Sequence, residues 1–198
     1  MTRAFRQQAD EQILDRAAAL FARQGFAKTS LQDVADAVGL SKAGLLHHFP
    51  SKDALRQAVL THAQELGEQA TAPVRDLPLG PDRDRRAVEV LVDVALAHPG
   101  LVSLLLTPAA QGLPADGAEE DAASQWAFAA FGVEHQTPDR ERLVRVAGAL
   151  AAMAFLTLGA RQNGEAAALR PHIVATGFDA LGHRRPGASS SRPDQVDA

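Results

Sequence analysis

The sequence contains no cysteine and no tyrosine, and aromatic residues make up only 5% of its 198 positions. Without cysteine, disulfide frameworks and thiolate metal sites are excluded, which fits a reducing compartment, so we expect a cytoplasmic protein. Runs in which β-branched or aromatic residues alternate with polar ones are also missing. The sequence therefore predicts an all-α fold.

No apolar stretch is long enough to predict a membrane helix. The longest, Val146–Ala160, is shorter than the roughly 18–20 residues that a span needs. It is also rich in alanine and glycine, which favours packing against other helices. The first ten residues are polar and charged, so we expect no signal peptide and no membrane partner.

Motifs of the common enzyme classes are missing as well. We find no G-x-x-x-x-G-K-[ST], no G-x-G-x-x-G, no H-E-x-x-H and no G-x-S-x-G. The adjacent His47 and His48 lack the spacing with which two histidines of one helix share a metal ion. We expect no enzyme, no cofactor and no metal ion, and keep a small-molecule enzyme as an alternative interpretation.

Charge is distributed unevenly along the chain. Between Met1 and His62, eight Lys/Arg face six Asp/Glu, a net charge of +2. In the remainder, twelve face eighteen, a net charge of −6, so that the whole chain carries −4. This asymmetry is expected when only the N-terminal part meets phosphate groups.

Apolar residues recur at helical spacing along almost the whole chain. Either Thr29 or Ser30 can cap the second predicted helix, and Thr29 with Gln32 has capping-box spacing. Prolines and a glycine predict a loop or a broken helix at Thr71–Asp82, and Thr137 before a proline predicts a helix start. The predicted helices, with approximate bounds, are Ala9–Gln24, Leu31–Val38, Lys42–Phe49, Lys52–Gln69, Arg83–Ala97, Gly100–Thr107, Ala118–Gly132, Pro138–Gln162 and Glu165–Leu181.

The second and third helices, joined by Gly39-Leu40-Ser41 and packed on the first, are typical of a helix-turn-helix unit. Such a unit needs a compact core that holds one helix outward at an angle suited to the major groove. The expected core residues are Phe21, Phe26, Leu31, Val34, Val38, Leu40, Leu45 and Phe49. The residues expected to stay exposed on the third helix are Lys42, Ala43, Gly44, Leu46, His47 and His48.

The exposed residues of the third helix suit DNA. The small side chains of Ala43 and Gly44 let the helix backbone approach bases closely, and Lys42 and the histidines can donate to phosphates or purines. Adjacent residues of a helix point about 100° apart, so His47 and His48 cannot share one task. We expect one of the two to pack or to cap.

The run FAKTSLQDVADAVGLSKAGLLHHFPSKDAL, from Phe26 to Leu55, resembles the signature of TetR-family regulators, and the likeness begins at Ile13. The resemblance implies a homodimer, usually a repressor, that a ligand releases from a palindromic operator in double-stranded DNA. It also implies phosphate contacts at Thr29, His47 and Lys52, and base contacts near Lys42, Ala43, Gly44 and Leu46. Members commonly have a tyrosine where Leu46 stands, so this contact departs from the family pattern.

Beyond Leu55 the resemblance is limited to His98-Pro99-Gly100-Leu101. The apolar inner faces of the helices after residue 83 predict a pocket for a mainly apolar small-molecule effector, with a few polar residues. The alternative for each residue is a place in a packed core. The expected ligand-binding residues are His98, Ser103, Leu105, Gln125, Trp126, Phe128 and Met153.

The segment Pro138–Leu181 is predicted to form the dimer interface, because its first helix is apolar around much of its circumference. The last helix has an apolar stripe of its own, at Ile173, Val174, Phe178 and Leu181. Burial of both helices inside a monomer is the alternative. A helical dimer that acts through protein contacts, without an operator, is the alternative function.

The expected organisation is a DNA-binding domain over residues 1–50, a sensing and dimerisation domain over 51–182, and a disordered tail over 183–198.

Overall fold

The computed structural model describes residues 3–111, 125–133 and 139–183. Within these ranges the chain is helical and has no strand, which confirms the all-α prediction. The helices are α1 (Arg3–Gln24), α2 (Leu31–Ala37), α3 (Lys42–His48), α4 (Lys52–Arg75), α5 (Pro81–Ala97), α6 (Pro99–Gln111), α7 (residues 125–130), α8 (Arg140–Gln162) and α9 (Ala166–Ala180).

Serine side chains cap the three helices that follow α1. Ser30 accepts a hydrogen bond from the Asp33 N–H, and the Asp33 carboxylate accepts one from the Ser30 N–H, which completes a capping box. Ser41 and Ser51 each accept from the backbone N–H three residues later, at 3.0 Å. The capping box is therefore one residue later than the predicted pair of Thr29 and Gln32.

Several predicted boundaries differ from the structure. Helix α1 begins at Arg3 rather than near Ala9, and α4 continues through Pro73 to Arg75, into the predicted loop. Val74 is completely buried there, so packing outweighs the one backbone hydrogen bond that a proline removes. Helix α8 begins at Arg140, where Asp139 accepts from the Arg142 N–H.

Some predictions lie outside the described residues. The start signal at Thr137-Pro138 is among them, as is the first part of the predicted helix Ala118–Gly132, residues 118–124. Of that helix, residues 125–130 are seen, and Gly132 ends it with a φ of 70°. The predicted tail begins at His183, beyond which the structure is not described.

The buried apolar side chains form two cores. The N-terminal core joins α1, α2, α3, the first half of α4 and the start of α6; its residues include Leu20, Phe21, Val34, Leu45, Leu55, Val59 and Leu101. The C-terminal core joins α5, α7, α8 and α9 with the end of α4; its residues include Val74, Val88, Leu91, Phe131, Val146, Met153, Ile173 and Val174. Helix α4 thus belongs to both, and the N-terminal core extends beyond the domain limit predicted at residue 50.

Helix α6 is attached to α1 by a cap supplied from the other helix. The Asp15 carboxylate of α1 accepts hydrogen bonds from the N–H groups of Gly100 and Leu101, at 2.8 and 3.1 Å. A Cβ at position 100 would stand 1.8 Å from the Asp15 carbonyl oxygen. Only glycine fits so close to another helix backbone, so this position fixes the approach of α6 to α1.

A buried ion pair joins the helices of the C-terminal core. Asp84 of α5 is 1% exposed, and both its oxygens accept from the Arg142 guanidinium of α8, at 2.6 and 2.8 Å. His183 Nε2 lies 2.6 Å from the same carboxylate. Arg142 also donates to the Phe131 carbonyl oxygen. The Asp84 carboxylate therefore links α5 to α8 and to the segment after α9, and through Arg142 also to the end of α7.

Helix α8 is long and apolar enough to cross a membrane, with a mean hydropathy of 1.8 over 18 residues. It packs against α5, α6 and α9 on one side, where Val146 and Thr157 are fully buried. On the other side Val144 and Phe155 are 70% and 77% exposed. An apolar helix with one face in a core and one face open has a surface suited to a partner chain.

Candidate nucleic-acid interface

The orientation of α3 follows from one deeply buried side chain. Leu45 is completely buried in the N-terminal core, and Ser41 fixes the start of the helix by its cap. The opposite side of α3 is exposed at Lys42, Ala43 and His47. The chain thus holds a short helix with a basic, partly small-residue face turned outward, the geometry that a major-groove reader needs.

The two adjacent histidines have different surroundings. His48 Nδ1 lies 2.6 Å from an Asp10 carboxylate oxygen of α1, so His48 fastens the end of α3 to the first helix. The His47 side chain stays on the exposed side of α3. The structure therefore retains His47 as a candidate DNA contact and gives His48 a packing role.

Thr29 is placed inside the protein rather than on its surface. The residue is 1% exposed, and its hydroxyl donates to the Gly25 carbonyl oxygen at 2.9 Å. Its side chain stabilises the turn between α1 and α2. The phosphate contact that the resemblance implied for Thr29 does not fit this placement.

Lys52 is engaged with the same turn. Its ammonium group donates to the carbonyl oxygens of Phe26, Ala27 and Thr29, at 2.7, 3.3 and 3.0 Å. It also lies 4.3 Å from the centre of the Phe26 ring. An ammonium has three N–H donors, so these acceptors occupy all of them. The structure gives Lys52 a positioning role at the turn before α2, and the phosphate contact implied by the resemblance stays a prediction.

Leu46 and Gly44 complete the outward face. Leu46 is 37% exposed, so a leucine stands at the surface where the family commonly has a tyrosine. Its only possible contact with DNA is apolar, such as one with a thymine methyl group. A Cβ at Gly44 would lie 3.3 Å from the Ser41 hydroxyl, so this glycine also leaves room for the cap.

The residues predicted to bind an effector do not form one group. Met153, Trp126 and Phe128 belong to the C-terminal core, whereas Leu105 packs against the N-terminal core. Of the other predicted residues, Gln125 is exposed, and the Ser103 hydroxyl donates a hydrogen bond to the Pro99 carbonyl oxygen. The His98 ring lies 5.4 Å from the His62 ring. Met153, Trp126 and Phe128 thus share one core, apart from Leu105.

Trp126 marks where the C-terminal core meets α4. A Cβ at Gly67 would lie 2.3 Å from the indole ring, so the ring rests directly on the α4 backbone. The indole Nε1 is buried and has no hydrogen-bond partner among the described residues. A buried donor without an acceptor costs about 1–3 kcal/mol, so a ligand with an acceptor gains by meeting it.

Sequence reasoning missed the residues that act through distant contacts. Asp10 and Asp15 are not among the predicted site residues, yet their carboxylates contact α3 and α6, at His48 and Gly100, which lie 38 and 85 residues further along the chain. Gly100, which directly follows a proline at the start of a helix, was the one available sequence signal for the contact between Asp15 and α6. No sequence signal pointed to the contact between Asp10 and α3.

Comparisons with known proteins agree with this geometry. Residues 13–59 match the model of the bacterial regulatory proteins of the tetR family. A transcriptional repressor KstR2 from Rhodococcus jostii is 43% identical over 49 residues, which cover 25% of this chain and 24% of that protein. The regulator RutR of Escherichia coli is 48% identical over 48 residues, 24% of this chain and 23% of that protein. The matched part thus spans about a quarter of either relative.

Solved structures show the same fold over most of the chain. A TetR-like transcriptional regulator from Rhodococcus sp. RHA1 has a TM-score of 0.54 at 21% identity and covers 93% of this chain and all of the other. A TetR-family regulator from Bordetella parapertussis has a TM-score of 0.56 at 24% identity and covers 86% of this chain and 94% of the other. The helix-turn-helix segment of this chain is therefore similar to that of the tetR family of bacterial regulatory proteins, and the chain shares the fold of these two solved structures.

Proposed function

We propose that the chain is a cytoplasmic, ligand-responsive DNA-binding transcription regulator, a repressor that a mainly apolar small molecule releases from a palindromic operator. The observation that carries the proposal is the outward face of α3, held by the buried Leu45 within the segment that matches the family model. The basic net charge of the N-terminal part and the acidic remainder agree with it. The chain has no proposed catalytic role.

The proposed DNA-contacting face consists of Lys42, Ala43, Gly44, Leu46 and His47. Lys42, at the first position of α3, is exposed and suits a base edge or a phosphate. The two small residues let the backbone approach the DNA closely. We assign His48, Thr29 and Lys52 structural roles: His48 attaches the end of α3 to α1, and Thr29 and Lys52 stabilise the turn before α2.

Selection of binding sequences from random duplex DNA, followed by gel-shift titration, tests this function. We expect a palindromic sequence that binds at least about 10³-fold tighter than random duplex. Lys42→Met is expected to change the base preference or lower the affinity, and Lys28→Met, on the turn before α2, is the matched charge control. Equal affinity for selected and random duplex would favour the alternative, a helical dimer that acts through protein contacts.

We propose a homodimer whose interface is centred on α8. The exposed apolar residues of this helix, Leu143, Val144, Phe155 and Leu156, supply the surface. The apolar stripe that the sequence predicted on α9 faces inward instead, since Ile173, Val174 and Phe178 are buried in the chain's own core. A pair of α8 helices with adjoining parts of α9 forms the four-helix arrangement expected for such dimers.

The proposed effector site lies in the C-terminal core beside Trp126, Phe128 and Met153. The unpartnered indole N–H favours an effector that has one hydrogen-bond acceptor on an otherwise apolar body. Coupling between the two sites of about 1–3 kcal/mol corresponds to a change of roughly 5–150-fold in operator affinity. A compound screen that records both Trp126 emission and operator release tests the placement. Release of the operator with a silent Trp126, and with unchanged affinity in Trp126→Phe, would refute it.

A further inference from the structure

Two histidine rings meet where α4 passes the turn between α5 and α6. His62 of α4 and His98 at the end of α5 have ring centres 5.4 Å apart, with their planes inclined at 74°. This pair is called the histidine contact below. His98 comes directly before Pro99, the first residue of α6, so the contact lies next to the cap that Asp15 provides to α6. Helices α4 and α6 each pack on both α1 and α5, and the histidine contact bridges the two.

His62 is buried in a place that does not accommodate a charged ring. The residue is 9% exposed, and its Nε2 is closed to solvent and has no hydrogen-bond partner among the described residues. Burial, and then the neighbouring His98, lower the pKa of His62 below its usual 6.5, so the ring is neutral at pH 7. An imidazolium donates through both nitrogens, and a charged Nε2–H finds neither water nor an acceptor here.

Carboxylates on the neighbouring helices attract a protonated His62 ring. Glu11 and Asp15 of α1 and Glu65 of α4 act to raise its pKa, in opposition to burial. Helix α6 has no titratable residue, so in the described part of the chain these carboxylates and His98 are the ionisable groups that face the ring. Glu65 is exposed and Glu11 half-buried, so the ring meets them when it moves toward water. Two arrangements are thus open to His62: neutral against His98, or charged and hydrated beside the carboxylates.

We propose that the histidine contact is an acid-sensitive switch, in which protonation of His62 releases α4 from the turn between α5 and α6. In the released state the ring is in water and has its ordinary pKa of 6.5, whereas burial keeps the pKa lower in the closed state. Each unit of pH below 6.5 therefore shifts the equilibrium toward release by up to about tenfold, until the pH reaches the pKa of the closed state. Because Asp15 is one of the attracting carboxylates, release also weakens the cap that it provides to α6.

Release of α4 reaches the DNA-binding unit through two helices. Helix α4 begins at Lys52, which organises the turn before α2, and it contributes Leu55 and Val59 to the N-terminal core. Helix α1 carries Asp10, which holds His48 at the end of α3. The expected consequence is a lower operator affinity at acid pH. This consequence rests on the proposed function, whereas the switch itself does not depend on DNA binding.

Amide hydrogen exchange of the full chain without DNA tests the switch. The Leu101 N–H, which donates to Asp15, is compared with the Val146 N–H of the C-terminal core, each after correction for its intrinsic exchange rate. Between about pH 7 and about pH 5.5, one unit below the ordinary histidine pKa, the protection of Leu101 should fall at least about threefold relative to Val146. The emission of Trp126, the single tryptophan, which rests on Gly67 of α4, should change over the same range.

Two variants remove the titrating ring, and a third is the matched control. His62→Leu and His62→Gln stay uncharged, so in whichever keeps the wild-type circular dichroism spectrum, the protection of Leu101 relative to Val146 should not depend on pH. His172→Gln makes the same change on the exposed side of α9 and should behave as wild type. No loss of protection in wild type, or an equal loss in wild type and in the His62 variants, would overturn the switch.

Operator affinity, measured with the duplex selected from random DNA, tests the consequence for DNA binding. Wild type should lose at least about threefold more affinity than His62→Leu between the two pH values. Any contribution of His47 and His48 is common to both proteins and cancels in this comparison. An equal loss in both would overturn the link to DNA binding. An acid response of Leu101 in a chain that binds no operator would count against the proposed function and support the switch.

Discussion

At the contact between α6 and α1, two opposing effects decide whether Gly100→Ala raises or lowers the free energy of unfolding. Replacement of Gly100 by alanine raises helix propensity, which by itself stabilises a helix by about 0.5–1 kcal/mol. The new Cβ, however, would stand 1.8 Å from the Asp15 carbonyl oxygen, a backbone atom that cannot rotate away. Overpacking of this kind costs about 1–3 kcal/mol.

The same substitution also strains the cap. Separation of α6 from α1 lengthens the hydrogen bonds from the N–H groups of Gly100 and Leu101 to Asp15, and loss of a helix cap costs about 1 kcal/mol. The clash and the cap together outweigh the propensity gain. We expect Gly100→Ala to lower the free energy of unfolding by about 1–3 kcal/mol, or the midpoint by roughly 2–12 °C for a chain of this size.

Thermal and urea unfolding of wild type and variant, followed by far-ultraviolet circular dichroism at one fixed protomer concentration, measures this effect. Gly159→Ala is the matched control, because a Cβ at position 159 of α8 meets nothing within 4 Å. The control should be neutral or slightly stabilising. If Gly100→Ala is as stable as wild type, α6 is not held against α1 as the structure shows, and the reasoning fails.

Three further predictions rest on other parts of the chain. Lys52→Met should lower operator affinity, because it loosens the turn before α2. The slope of log affinity against log salt concentration should stay unchanged, whereas loss of a phosphate contact would reduce this slope by about one unit. Leu156→Asp, on the exposed side of α8, should yield monomers in analytical ultracentrifugation and abolish operator binding. The control variant Thr176→Asp, on the exposed side of α9, should stay dimeric and bind the operator. A dimeric Leu156→Asp variant would contradict the proposed interface. Because burial lowers the pKa of His62 below 6.5, the unfolded chain binds this proton more readily, so stability should fall as pH drops from 6.5 to the folded-state pKa. His62→Gln should flatten urea-unfolding stability over that window, and an unchanged pH slope would count against a neutral buried His62.

The N-terminal part of the fold was predictable because local signals agree there. Serine caps, the glycine at position 39 and the helical spacing of Val34, Leu45 and their neighbours all specify the same short helices. The predicted apolar set of the helix-turn-helix is found buried or half-buried in the N-terminal core. In this region the sequence places both the fold and the outward face of α3.

The support of that face was not predictable, because it depends on distances along the chain that no local pattern encodes. Lys52 has the position of a phosphate contact by resemblance, yet it meets carbonyl groups 23–26 residues earlier. The α9 stripe has the periodicity of an interface, and the same periodicity serves an internal core. Apolar spacing shows that a helix face is covered, but it does not show by what.

The attachment of α6 to the N-terminal core has a consequence for the design of hybrid regulators from this chain. Leu101 is buried in the N-terminal core, and Asp15 of α1 caps the helix in which Leu101 lies. A hybrid regulator that joined residues 1–50 to a foreign sensor would lose this helix and expose the apolar residues that it covers. A modular exchange therefore has to keep α6 with the DNA-reading part, or to graft Asp15, Gly100 and Leu101 together as one joint.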